Sequence, residues 1–217
     1  MEILPLGPGF AAELRGITLS DVTVDDVAYA AVRAAFEEHS VLVFRGQDVT
    51  DEGQLAFSRR FGTPEITKVG SASAGTYFAV LTTIGEDGKV VPADHRLALR
   101  NRANQLWHTD SSFKRVPALT SVLSARVIPA SGGETEYVST RLAFERLGPD
   151  LQKKLENSFA WHDYAHSRGD RARPRDPRGT VGAAAAMLAH GLEESGEWPW
   201  RPLFGFACLC DRGHGAG

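Results

Sequence analysis

Hydrophobic positions change their period several times along the chain, and each change predicts an element. Residues 1–22 carry short apolar runs broken by Gly7-Pro8-Gly9, the pattern of short strands and turns. Val24, Val27, Ala28, Ala31, Val32 and Ala35 then recur at helical spacing, with Thr23 placed to cap them. A helix is therefore predicted from Thr23 to about Glu38. Ser40-Val41-Leu42-Val43-Phe44-Arg45-Gly46 is a β-branched run closed by glycine, which predicts a buried strand. A second helix is predicted from Asp51. Gln54 stands three residues on, as in a capping box, and Leu55, Phe57 and Phe61 are the apolar positions. Gly62-Thr63-Pro64 ends it.

Beyond residue 64 the pattern is less regular. Phe78 to Ile84 predicts a strand, and Glu86-Asp87-Gly88 a turn after it. Leu119 to Ile128 and Thr135 to Val138 predict two more strands, linked through Pro129-Ala130-Ser131-Gly132-Gly133. Arg141 to Phe159 is helical, with Leu142, Phe144, Leu147, Leu151, Leu155 and Phe159 on one face. Gly148-Pro149 is expected to divide it. After His166 the chain turns to Arg and Pro, then to an Ala run, then to Trp198-Pro199-Trp200-Arg201-Pro202 and a Gly-rich end. No periodicity survives there, and a poorly packed tail is expected. The pattern contains no internal repeat.

Composition narrows the function classes. The 217 residues suit one large domain with a core of its own. With 24 Lys and Arg against 27 Asp and Glu, the net charge of −3 argues against a nucleic-acid binder. The two cysteines, Cys208 and Cys210, make neither a disulfide framework nor a four-ligand zinc site, and a reducing compartment is the simpler expectation. The start Met1-Glu2-Ile3-Leu4-Pro5 lacks the features of a secretory signal, and Val181 to Leu188 is too short for a membrane span. A cytoplasmic protein bound to neither nucleic acid nor membrane is expected, with self-association left open.

The candidate chemistry lies in Asn104-Gln105-Leu106-Trp107-His108-Thr109-Asp110-Ser111-Ser112-Phe113. Residues two apart on an extended chain share a side, so His108 and Asp110 can offer an imidazole and a carboxylate to one divalent ion. One further His from elsewhere would complete a two-His-one-carboxylate face, which leaves open positions on ferrous iron. A His-x-Asp triplet alone is weak evidence. Trp107 reads as wall or core, and Gly132-Gly133 as a tight turn.

The triplet, followed at a distance by Ser131-Gly132-Gly133-Glu134-Thr135-Glu136-Tyr137 and preceded by Ser40 to Gln47, closely resembles the TauD/TfdA family. The resemblance covers roughly residues 3–168 and is nearer the phenoxyacetate branch than the taurine branch. It implies an α+β fold: a double-stranded β-helix, or jelly roll, with flanking helices, incomplete at its C-terminal end. The implied activity is an iron(II)- and 2-oxoglutarate-dependent dioxygenase. Such an enzyme uses O2 to hydroxylate a small anionic substrate such as an aryloxyalkanoate, releasing succinate and carbon dioxide. On this resemblance His108 and Asp110 match the first two iron ligands. Thr135 matches the hydroxyl on the far carboxylate of 2-oxoglutarate, Asn104 a polar residue of the substrate pocket, and Lys68 a partner for an anionic substrate. For Lys68 a solvated surface lysine is the competing reading, and for Thr135 an ordinary β-branched strand residue.

The resemblance stops after Arg168, so residues 1–168 read as an incomplete dioxygenase domain and 169–217 as an unmatched tail. The family's second metal His and the Arg beyond it have no clear counterpart. His190 is followed by Arg201 in unfamiliar surroundings, and His214 by Gly215-Ala216-Gly217 only. A shifted reading frame or a truncated gene would account for this. Two alternatives stay open: an inactive remnant, and a zinc hydrolase using His108, Asp110 and one of His162 or His166.

Overall fold

The computed structural model describes residues 1–67, 75–99, 107–112, 114, 116–129, 133–156 and 158, with the backbone of 205–211. The chain divides into two units, one of Met1–Thr63 with Ser111–Gly217 and one of Pro64–Asp110. Among the described residues no helix is long and apolar enough to cross a membrane.

The first unit is built on a mixed five-stranded sheet. β1 (Glu2–Pro5) pairs antiparallel with β2 (Ala12–Arg15) through the Gly7-Pro8-Gly9 connection. Gly9 sits at φ +83°, and a Cβ there would lie 3.1 Å from the Leu142 side chain, so both conformation and space call for glycine. β2 pairs parallel with β3 (Val41–Gln47), the strand expected from the β-branched run closed by Gly46. β4 (Thr120–Ala125) and β5 (Gly205–Asp211) complete the sheet in the order β1-β2-β3-β5-β4, with β5 parallel to both neighbours.

Helices cover one sheet face. α1 (Leu19–Val24) opens with a reciprocal cap: Asp21 N donates to Thr18 Oγ1 at 3.1 Å and Thr18 N to Asp21 Oδ2 at 2.8 Å. α2 (Asp26–His39) follows, capped by Asp25, whose Oδ1 accepts from Val27 N at 2.8 Å. α3 (Asp51–Arg60) is capped by Thr50 through Gly53 N at 3.1 Å. Ala12, Leu14, Leu42 and Phe44 on the sheet bury against Val32, Ala35, Phe36 and Phe57. Phe44 and Phe57 meet edge to face at 5.6 Å, and Phe61 packs against Tyr29, Phe36 and Phe57.

Several expectations shift. The single helix from Thr23 is two helices, because Asp25 caps a new one. Thr23 instead donates its hydroxyl to Leu19 O at 2.8 Å. Val24 and Val27 consequently leave the buried stripe and are 79% and 78% exposed. Gln54 is not the capping partner. With Thr50 as cap it lies one residue too far along, and its amide donates to Val122 O at 3.1 Å, tying α3 to β4. The predicted 119–128 strand is β4, shorter at both ends. Residues 135–138 carry no ladder.

The division at Gly148-Pro149 separates α4 (Thr140–Glu145) from α5 (Pro149–Leu155). Arg141 on α4 donates to Glu37 O and Glu38 O, each at 2.9 Å, and to Ser40 Oγ, closing the last turn of α2. Residues 205–211, within the stretch expected to be a poorly packed tail, form β5. The sheet so described has three parallel pairings among four. A second, facing sheet of a jelly roll is not among the described residues.

The second unit is built differently. Its predicted strand 78–84 reduces to one antiparallel bridge, Ile84 with Val90, around a turn at Glu86-Asp87-Gly88. Gly85 N donates to Lys89 O at 2.8 Å and Val91 N to Thr83 O at 2.8 Å. None of this unit's described residues is buried.

Candidate metal centre

His108 and Asp110 lie in residues 107–110, at the C-terminal end of the second unit. Residues 107–109 carry no regular structure and Asp110 opens a turn, and within this segment the two side chains approach each other. His108 Nε2 lies 3.5 Å from Asp110 Oδ1. The side chains are 48% and 52% exposed, open to an incoming ion. Two donors about 2.1 Å from one ion and cis to each other stand about 3 Å apart. The observed spacing therefore fits a shared divalent cation after a slight closing. The donor set, one imidazole nitrogen and one carboxylate oxygen, is of the kind that takes iron, manganese or zinc. Among the described residues no third His, Cys, Asp or Glu joins them.

The neighbours of the pair are polar. Thr109 Oγ1 lies 3.4 Å from Asp110 O, a long contact. The next residue, Ser111, has φ +59°, a left-handed conformation uncommon for a side-chain-bearing residue. It turns the chain, and Lys114 N donates to Ser111 O at 2.8 Å. Sequence reading did not single out Ser111, although Asp-Ser-Ser is a recognisable turn composition. Trp107, expected to be wall or core, is 59% exposed.

Thr135 is exposed, in a segment of the first unit without ladder partners. Lys68 and Asn104 lie outside the described residues, as do His162, His166, His190, Arg201 and His214.

Comparison with known proteins decides the family. The family model described as "Taurine catabolism dioxygenase TauD, TfdA family" matches residues 2–188. The chain belongs to the TauD/TfdA family. The match runs past Arg168. Among relatives in this family, the alpha-ketoglutarate-dependent 2,4-dichlorophenoxyacetate dioxygenase of Cupriavidus pinatubonensis is 41% identical over 169 residues. That alignment covers 76% of this chain and 58% of the relative. The (S)-phenoxypropionate/alpha-ketoglutarate-dioxygenase of Sphingobium herbicidovorans is 32% identical, over 93% of this chain and 65% of the relative. A solved structure, AAD-2 in complex with Mn(II) and N-oxalylglycine, is 31% identical with a TM-score of 0.67, covering 83% of this chain and 64% of that one. The chain thus spans less than two thirds of the length of these TauD/TfdA relatives.

Proposed function

We propose that the chain carries the iron- and 2-oxoglutarate-binding face of a TauD/TfdA dioxygenase acting on a small anionic substrate of the aryloxyalkanoate class. The observation that carries this reading is the 3.5 Å approach of His108 Nε2 to Asp110 Oδ1. His108 and Asp110 would hold a ferrous ion, which supplies oxygen activation coupled to conversion of 2-oxoglutarate into succinate and carbon dioxide. For that role His108 must be neutral and Asp110 ionised, the forms that offer lone pairs. Thr135 would donate its hydroxyl to the far carboxylate of 2-oxoglutarate. Lys68 would pair with the substrate's anionic group and Asn104 would hold its polar part. The name of the Cupriavidus relative supports the aryloxy acid, and the family supports the cosubstrate. The implied scaffold is the double-stranded β-helix, with residues 1–168 as its dioxygenase part, in a cytoplasmic protein.

The test is anaerobic titration with Fe(II) and 2-oxoglutarate, followed by oxygen uptake with phenoxyacetate. One equivalent of iron and a visible band that needs 2-oxoglutarate are expected, with both lost in His108→Ala. Iron retained by His108→Ala would overturn the reading. A second reading, a non-catalytic remnant, draws on the lack of a clear counterpart to the distal His and Arg in residues 169–217. It predicts no oxygen uptake and no 2-oxoglutarate-dependent band.

A further inference from the structure

Thr135 lies in residues 133–138, which carry no ladder. The sheet therefore does not set its place. Both flanks of the stretch are fastened to helices of the first unit. Downstream, Ser139 Oγ accepts from Leu142 N at 3.3 Å to cap α4, and Arg141 ties α4 to the end of α2. Upstream, Arg126 is the first residue after β4. Its Nη1 donates to Val49 O at 2.6 Å, and its Nη2 to Asp51 Oδ1 at 2.9 Å and to Gln54 Oε1 at 3.1 Å. One guanidinium thus grips three acceptors around the start of α3. The Gln54 side chain returns the link, donating its amide to Val122 O of β4 at 3.1 Å.

An exposed ion pair such as Arg126–Asp51, with side chains 41% and 67% exposed, adds little to stability by itself. A fork is more demanding. With a backbone carbonyl on one nitrogen and two side-chain oxygens on the other, the planar guanidinium has one orientation, and it fixes the direction in which the chain leaves β4. Three residues on, Pro129 meets the returning chain. Gly133 has φ +82°, and a Cβ there would lie 3.2 Å from Pro129 Cγ, so both conformation and space call for glycine. Thr135 follows two residues later. A displacement at Arg126 is carried through the Pro129–Gly133 contact to the threonine, and a hydroxyl that must meet a carboxylate tolerates only about 0.5 Å of misplacement.

We propose that Arg126 is a positioning residue for 2-oxoglutarate, holding Thr135 where its hydroxyl meets the far carboxylate; this rests on the role proposed above for Thr135. The test is calorimetric binding of 2-oxoglutarate to the full, anaerobic, Mn(II)-loaded chain. Arg126→Gln should weaken binding about tenfold with Mn(II) affinity unchanged, and Arg126→Lys should recover part of the loss. Thr18→Ala, which destabilises the same unit by removing the α1 cap, should leave 2-oxoglutarate binding as in the parent. In a Thr135→Val background Arg126→Gln should add nothing, because its effect passes through that hydroxyl. Hydrogen exchange of the unliganded chain gives a second readout. Residues 133–138 should exchange faster in Arg126→Gln and not in Thr18→Ala. Full additivity of the Thr135 and Arg126 variants, or parent-like 2-oxoglutarate binding in a folded Arg126→Gln chain, would overturn the proposal while leaving Thr135 its role. Parent-like binding in Thr135→Val, or no binding by the parent chain, would remove that role and the proposal with it.

Discussion

The two units solve the problem of order in opposite ways. In Met1–Thr63 with its returning strands, the predicted apolar positions Val32, Ala35, Val41, Leu42, Phe44 and Phe57 are buried, Val24 and Val27 are not, and Phe44, Phe57, Leu14 and Leu42 are almost fully covered. In Pro64–Asp110 none of the described residues is buried, and Tyr77, Val80, Leu81, Ile84, Val90 and Leu99 are all exposed. The candidate ligands belong to the second kind of structure. A packed core can be specified by hydrophobic period alone, whereas a ligand pair held by a two-residue spacing needs only a short stretch of chain. The first unit should therefore carry most of the folding energy, and the second should gain order chiefly from what it binds.

The strongest way to break that contrast is a matched pair of truncations. Phe57→Ala removes a fully buried ring and should cost about 3–5 kcal/mol in urea unfolding. Val80→Ala removes an exposed side chain and should change stability by less than about 0.5 kcal/mol. Equal losses would show that Pro64–Asp110 has a core of comparable weight.

Metal sharpens the comparison from the other side. Mn(II) at about a hundredfold excess over its dissociation constant should raise unfolding free energy by about 2.7 kcal/mol. His108→Ala should abolish the gain. Hydrogen exchange should show new protection first in residues 107–112. Protection appearing only in the sheet would place the ion elsewhere.

What could be read beforehand follows the same division. β3 was legible because its signal is local: a β-branched run closed by Gly46. The His108–Asp110 approach was legible for the same reason. The α1–α2 break was not, because Thr23 and Asp25 are both good caps and only the backbone shows that Thr23 folds back onto Leu19. β5 was least legible. Its sequence Gly-Phe-Ala-Cys-Leu-Cys-Asp follows a Trp- and Pro-rich stretch, and parallel partners lie far off in sequence, so no hairpin turn announces it. The second unit's predicted strand 78–84 is reduced, among the described residues, to the single Ile84–Val90 bridge.

Arg141 tests whether the first unit's order depends on polar closure as well as burial. It satisfies two carbonyls at the end of α2, and Arg141→Ala should cost about 1–3 kcal/mol by thermal unfolding. Arg141→Lys should recover part of this, since one ammonium cannot reproduce the guanidinium fork.

The smallest effect concerns acid. The hydrogen bond from Arg15 holds the Glu13 carboxyl below the ordinary glutamate range, burial opposes this, and Arg45 adds to the lowering. Backbone and side-chain hydrogen bonds from Thr18 hold the Asp21 carboxyl low in the same sense. A carboxyl whose folded pKa is depressed contributes stability fully above its unfolded pKa, and loses it as pH falls through the folded value. Glu13→Gln and Thr18→Ala should each therefore be less stable than the parent at neutral pH. The gap should narrow below the ordinary carboxylate range as the carboxyls are protonated, and in Thr18→Ala the part due to the lost cap bond from Asp21 N should remain. Arg15 is shifted upward by the same Glu13 contact, so its share is constant across this window and cannot mimic the acid response. Both groups lie in Met1–Thr63. Global unfolding should thus record the acid loss while Mn(II) binding to the His108–Asp110 pair, compared at neutral pH, stays the same in both variants. A metal affinity that fell along with the acid stability of Glu13→Gln would mean that the two units do not keep their order separately.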